Sequence, residues 1–133
     1  MSDTILILGQ NNHAGAGSQT LTGEKFAGDA RFGATDGLHT FEINLTNFIG
    51  KIKIQATLAS EPNEQDWFDA DVGNSSQTID TTGLVQSASK TSIVYTDAET
   101  SVNAYNVTGN MVWVRAYVTD WTEGSISSIK MNR

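Results

Sequence analysis

In "KIKIQATL" (51–58), Ile52, Ile54, Ala56 and Leu58 alternate with Lys51, Lys53, Gln55 and Thr57. Period two over eight residues predicts a half-buried strand, because successive side chains of an extended chain point to opposite faces. "NMVWVRAYVT" (110–119) repeats the pattern, with Val112, Val114, Ala116 and Val118 set against Trp113, Arg115, Tyr117 and Thr119. Bulk on both faces predicts a central strand with something packed on its second side. Shorter strands are predicted over 4–8, 39–45, 91–96, 102–108 and 124–132. In the last, Ile126 and Ile129 have opposite parity, which predicts a bulge near Ser127 and Ser128.

Turn formers separate these runs: "TNFIG" (46–50), "SEPNEQ" (60–65), "VGNSS" (72–76), "TGN" (108–110) and "WTEG" (121–124). "TDWTEG" (119–124) is expected to close a hairpin between the last two strands. No helical period lasts more than about a turn. Short strands at intervals of roughly ten residues predict an all-β fold, a single antiparallel β-sandwich of jelly-roll-like form spanning 1–133. Residues 9–37 hold seven of the twelve glycines and few apolar residues. They are expected to form a Gly-rich irregular N-terminal arm or set of loops.

With 133 residues the chain fits one domain and can bury one core without staples. Cysteine is absent, so disulfides and thiolate metal sites are excluded, as suits a protein made in a reducing cytoplasm. Fifteen acidic residues against eight basic ones give a net charge of −7. That balance opposes binding to a phosphate backbone or an anionic membrane, so neither nucleic acid nor membrane is an expected partner. The start, "MSDTILILGQNN", has no basic region before its short apolar run and is not expected to be a signal peptide.

Little in the chain predicts catalysis, and neither enzyme activity nor a cofactor is expected. His13 lies in a Gly-rich loop and His39 at a strand start, neither beside a nucleophile motif, so both are expected to be polar loop histidines. Asp66, Asp69 and Asp71 are closely spaced oxygen donors and the calcium candidates. The EF-hand order and its turn glycine are missing, so solvated acids around a turn are the expectation. Trp67, Phe68, Trp113, Tyr117 and Trp121 are candidates for core packing, a subunit interface or a sugar-stacking platform. Trp67 and Phe68 are adjacent and point to opposite faces, so at least one is expected in the core. Pro62 is expected to end the strand before them, since it cannot donate to a ladder.

The segment "TDGLHTFEINLTNFIGKIKIQATLASEPNEQDWFDADVG" resembles small virion structural proteins of tailed phages, particularly those infecting marine cyanobacteria. There, a "DGLHT" strand leads to an "FxGxIxIQATLAxxPxxxDWF" strand and turn. "GNMVWVRAYVTDWTEGSISSIKMNR" is similar to their C-terminal hairpin. The resemblance covers 35–73 and 105–133. It implies a β-sandwich that builds a virion particle assembled in the host cytoplasm, and a capsid decoration (cement) protein first of all. A tail, neck or fibre component is the nearest alternative, and a carbohydrate-binding module for host glycan the next. The implied partners are other virion proteins, above all the major capsid protein, and further copies of the chain, with a trimer favoured. The family carries no catalytic residues to transfer.

Overall fold

The computed structural model describes residues 4–33, 37–72, 78–80, 83–85 and 90–133. The "VGNSS" turn lies mostly outside them. In chain order the strands are β1 (Thr4–Leu8), β2 (Asn11–Asn12), β3 (Gln19–Thr22), β4 (Phe26–Ala27), β5 (Leu38–Thr57), β6 (Phe68–Asp69), β7 (Thr78–Asp80), β8 (Gly83–Val85), β9 (Ile93–Thr108) and β10 (Trp113–Asn132). Short 3-10 turns occupy Asp29–Phe32 and Glu64–Asp66. The fold is all-β, antiparallel and sandwich-like, as the alternation predicts.

β10 and β5 pair along nearly their whole lengths, from Trp113↔Thr57 to Asn132↔Thr40. β1, β2, β3 and β4 share the other edge of β10 in turn. β9 and β6 lie on the far side of β5. The Gly-rich segment is therefore held against β10 by short strands, with an exposed irregular loop at 14–18 between them. Among the described residues β7 and β8 pair only with each other.

Two expected turns are corners inside continuous strands. "TNFIG" lies within β5, and "TDWTEG" within β10, so no hairpin separates the last two predicted strands. The two groups of turn formers sit at the same level of the ladder, where the register shifts between Thr119 and Ser125 and Glu123 faces Ile49. Asn47 (φ 51°), Asp120 (φ 52°) and Gly124 (φ 82°) take the left-handed region. Asn and Asp tolerate that region better than most side chains, and glycine adopts it freely. A Cβ on Gly124 would lie 2.0 Å from the Asn47 carbonyl oxygen, so the strands cross there at a distance only glycine allows. Paired strands that bend together keep their ladder, whereas a hairpin would end it.

The bend brings two halves around one core. One half supplies Phe41, Ile43, Leu45, Ile126, Ile129 and Met131, and the other Ile52, Ile54, Ala56, Val114, Ala116 and Val118, all buried. Each large apolar side chain so buried contributes about 1.5–3 kcal/mol. Trp121 and Phe48 fill the corner with ring centroids 5.9 Å apart, and Tyr95 meets Phe48 edge-on at 6.2 Å. Ile126 pairs with Leu45 and Ser128 with Asn44, so Ser127 is the extra residue of the expected bulge. The bulge is what lets Ile126 and Ile129 both face inward.

Two local expectations fail. Leu58 is 64% exposed, because β5 ends at Thr57 and the alternation no longer has a sheet to refer to. His39 is no loop histidine: it is fully buried in β5, and its Nε2 accepts the Asp29 backbone N–H at 3.1 Å. That bond docks the first 3-10 turn on the sheet. An accepting Nε2 puts the ring proton on Nδ1, which has no hydrogen-bond partner among the described residues.

Candidate interaction surface

The inward set of the half formed by 51–57 and 113–119 leaves a complementary outward set. Trp113, Arg115 and Tyr117 of β10 stand beside Thr57, Gln55 and Lys53 of β5, and Gln55 stands beside Asp69 of β6. After β5 the chain turns back across this outer face. The Trp113 indole N–H donates to the Ser60 carbonyl at 3.0 Å. Arg115 donates through both terminal nitrogens to Glu64 (3.3 and 3.1 Å) and through Nε to Gln55 Oε1 (2.8 Å). Its guanidinium carbon lies 4.2 Å from the centre of the Trp67 ring. Gln55 and Lys53 each donate to Asp69 at 3.1 Å.

The backbone of this crossing is set by its own short polar residues. Asn63 Oδ1 accepts the Gln65 N–H, and Asp66 Oδ2 accepts the Asn63 N–H, a reciprocal cap on the 3-10 turn. Arg115 is buried, so its charge needs acceptors, and the sheet and the crossing supply one to each of its three nitrogens. The hydrogen bonds and charge of Arg115 lower the Glu64 carboxyl below its ordinary 4.5. Burial pushes the Asp69 carboxyl upward, but the hydrogen bonds from Gln55 and Lys53 and the lysine charge outweigh it, and the net shift is below 3.8.

The structure gathers Trp67, Trp113 and Tyr117, all half-buried, around this outer face. Lys25 and Arg31 approach the Trp113 ring at 4.7 and 5.5 Å. With Lys53 and Arg115 they concentrate half of the chain's eight basic residues near one surface of an acidic molecule. Trp121 belongs elsewhere: it is buried at the corner and donates to the Glu123 carbonyl. Neither Trp67 nor Phe68 is a core residue. Trp67 covers Arg115 from outside, while Phe68, paired with Ala56 at the sheet's rim, stays 43% exposed. Pro62 is half-buried within the crossing, five residues beyond the end of β5, so it shapes the crossing rather than ending the strand.

The calcium candidates are not brought together. Asp66 caps its turn, Asp69 holds Lys53 and Gln55, and Asp71 accepts the Lys90 backbone N–H. Among the described residues no cluster of three acidic or histidine side chains is placed to hold a metal ion. An apolar slot between β1 and β3, lined by Leu6, Leu8, Leu21 and Phe26, has Glu24 as its charged residue and no convergent polar groups. Small-molecule sites usually carry such groups to orient a ligand.

Sequence reasoning missed Arg115 as the organiser of the surface. Its signal was available: a charged residue inside a Val- and Ala-rich central strand is rarely buried unless paired.

No family model matches this chain, and no curated protein does. Among solved structures it is similar to the crystal structure of the SPBc2 prophage-derived protein YomS, at a TM-score of 0.48 and 14% identity over 99% of this chain and 93% of that one.

Proposed function

We propose that this chain is a phage virion structural protein that docks through the Trp67–Trp113–Tyr117 face, as a capsid decoration protein bound to the head surface. The role is non-catalytic, and it includes self-association. The observation that carries docking is the half-exposed set of Trp67, Trp113 and Tyr117, held on a sheet over the buried Arg115; Trp and Tyr are among the residue types that dominate binding energy at protein interfaces. The crossing that bears Trp67 is tied to the sheet by Arg115 and Trp113, and Asn63 caps its 3-10 turn, so little ordering is left to be done on binding. The virion itself comes from the resemblance of 35–73 and 105–133 to phage structural proteins. The surrounding cations suit an acidic partner surface, and the overall negative charge keeps free subunits soluble.

Quantified copy number in purified particles tests the location. Hundreds of copies support the shell, a dozen or so would move the protein to the neck, tail or fibres, and absence from particles would end the reading. Trp67→Ala with Trp113→Ala should abolish rebinding to stripped particles while the far-ultraviolet circular dichroism stays unchanged. Retained particle binding, with loss of binding to a glycan array instead, would favour the carbohydrate-binding alternative.

A further inference from the structure

The half of the sheet formed by 38–45 and 125–132 has a margin that is free among the described residues. β9 pairs with β5 on one side, and among the described residues no strand lies on its other side. Residues 101–108 run in unbroken register with 38–45, so alternate backbone N–H and C=O groups point away from the molecule along that stretch. Proteins usually blunt such an edge with Lys, Pro or a bulge. "SVNAYNVT" has none of these. The acids of β9, Asp97 and Glu99, lie before it, beyond a break in register.

The neighbouring outer face is equally neutral. Val102 is 58% exposed, Ala104 and Asn106 are exposed, and Glu42 on β5 is matched by its register partner Lys130 on β10. In a chain of net charge −7, a neutral edge lets two copies approach without like-charge repulsion. No charge on 101–108 selects a basic or an acidic foreign segment. An antiparallel edge is its own complement under a two-fold axis and needs no second sequence.

The geometry points to a second copy of this chain as the occupant, with residues 101–108 of the two copies paired antiparallel across a two-fold axis. This arrangement joins β1, β10, β5 and β9 of each copy into one continuous sheet. It also places Asp97 and Glu99 of the two copies at opposite ends, whereas parallel pairing would set them side by side. The pair departs from the trimer that the resemblance implies. It deepens the self-association in the proposed function but is measured on the free chain, so its failure leaves the docking reading standing.

Sedimentation equilibrium of the intact chain is the test. The mass should rise reversibly from 14.3 kDa toward twice that value with concentration. Val102→Glu with Ala104→Glu, both at exposed positions, should weaken association about tenfold or more by setting like charges face to face. Amides of 101–108 should gain protection from hydrogen exchange as concentration rises, and lose it in the double variant. A monomer at every concentration, a trimer, or a dimer indifferent to the two glutamates overturns the inference. So does protection of 101–108 that appears only when a different protein is added.

Discussion

The two halves of the bent sheet use the same two long strands and bury the same kind of side chain, yet their outer faces differ. Over 51–57 and 113–119 the outward positions hold Lys53, Gln55, Arg115 and Trp113, tied to a returning segment by hydrogen bonds and a stacked ring. Over 38–45 and 125–132 they hold Thr40, Asn44 and Asn132 together with one opposite-charge register pair, Glu42 and Lys130. Thr40 donates to Asn106 and Asn132 to Thr4, and the face carries nothing over it among the described residues. Core packing therefore constrains one side of each strand and leaves the other to be set by function. One outer face buries a charge, which obliges every partner to be present. The other buries none and can lose a contact cheaply.

The largest effect should come from breaking what both halves share. Trp121→Ala removes the buried ring at the corner and should cost about 3–5 kcal/mol in chemical denaturation, destabilising both halves together. Gly124→Ala should follow, at about 1–3 kcal/mol from the left-handed backbone alone, with more from the clash at Asn47. A variant as stable as the parent would show that the strands need not cross so closely there.

Next comes the contrast itself. Arg115→Ala should cost about 1.5–3 kcal/mol, since it removes charge-assisted hydrogen bonds and the support beneath Trp67. Asn106→Ala on the neutral face should stay within about 0.5 kcal/mol. Equal losses would erase the distinction between the faces.

The smallest effect is electrostatic. Glu64 and Asp69 have folded pKa values below their unfolded ones, so their stabilisation is complete above about pH 5 and is lost as pH falls through the lowered values. The denaturation midpoint should therefore drop on acidification in this window. Asp69→Asn should remove part of the slope, and Glu64→Gln very little, because the Glu64 carboxylate is largely exposed and its charge is screened.

The inner face was legible wherever alternation ran unbroken. Ile52, Ile54, Ala56, Val114, Ala116 and Val118 are all core, and the parity clash of Ile126 and Ile129 located a real bulge. Turn formers were legible as places where the chain deviates, but not as the kind of deviation. Asn47, Asp120 and Gly124 serve a corner in two paired strands as well as they would serve hairpins. The outer face was hardest to read. Trp67 is core-like by residue type, but its position depends on Arg115, 48 residues away in sequence.

By itself the sequence determined the all-β class and the two alternating faces of 51–57 and 113–119, because period two is a local property of extended backbone that depends only on neighbouring residues. The tertiary structure alone decided that two hairpin-like stretches are corners, that Trp121 rather than Trp67 is the buried ring, and that three aromatic side chains and four cations share a surface. Those outcomes depend on which distant segments lie at the same level of the ladder, and no local pattern encodes that register.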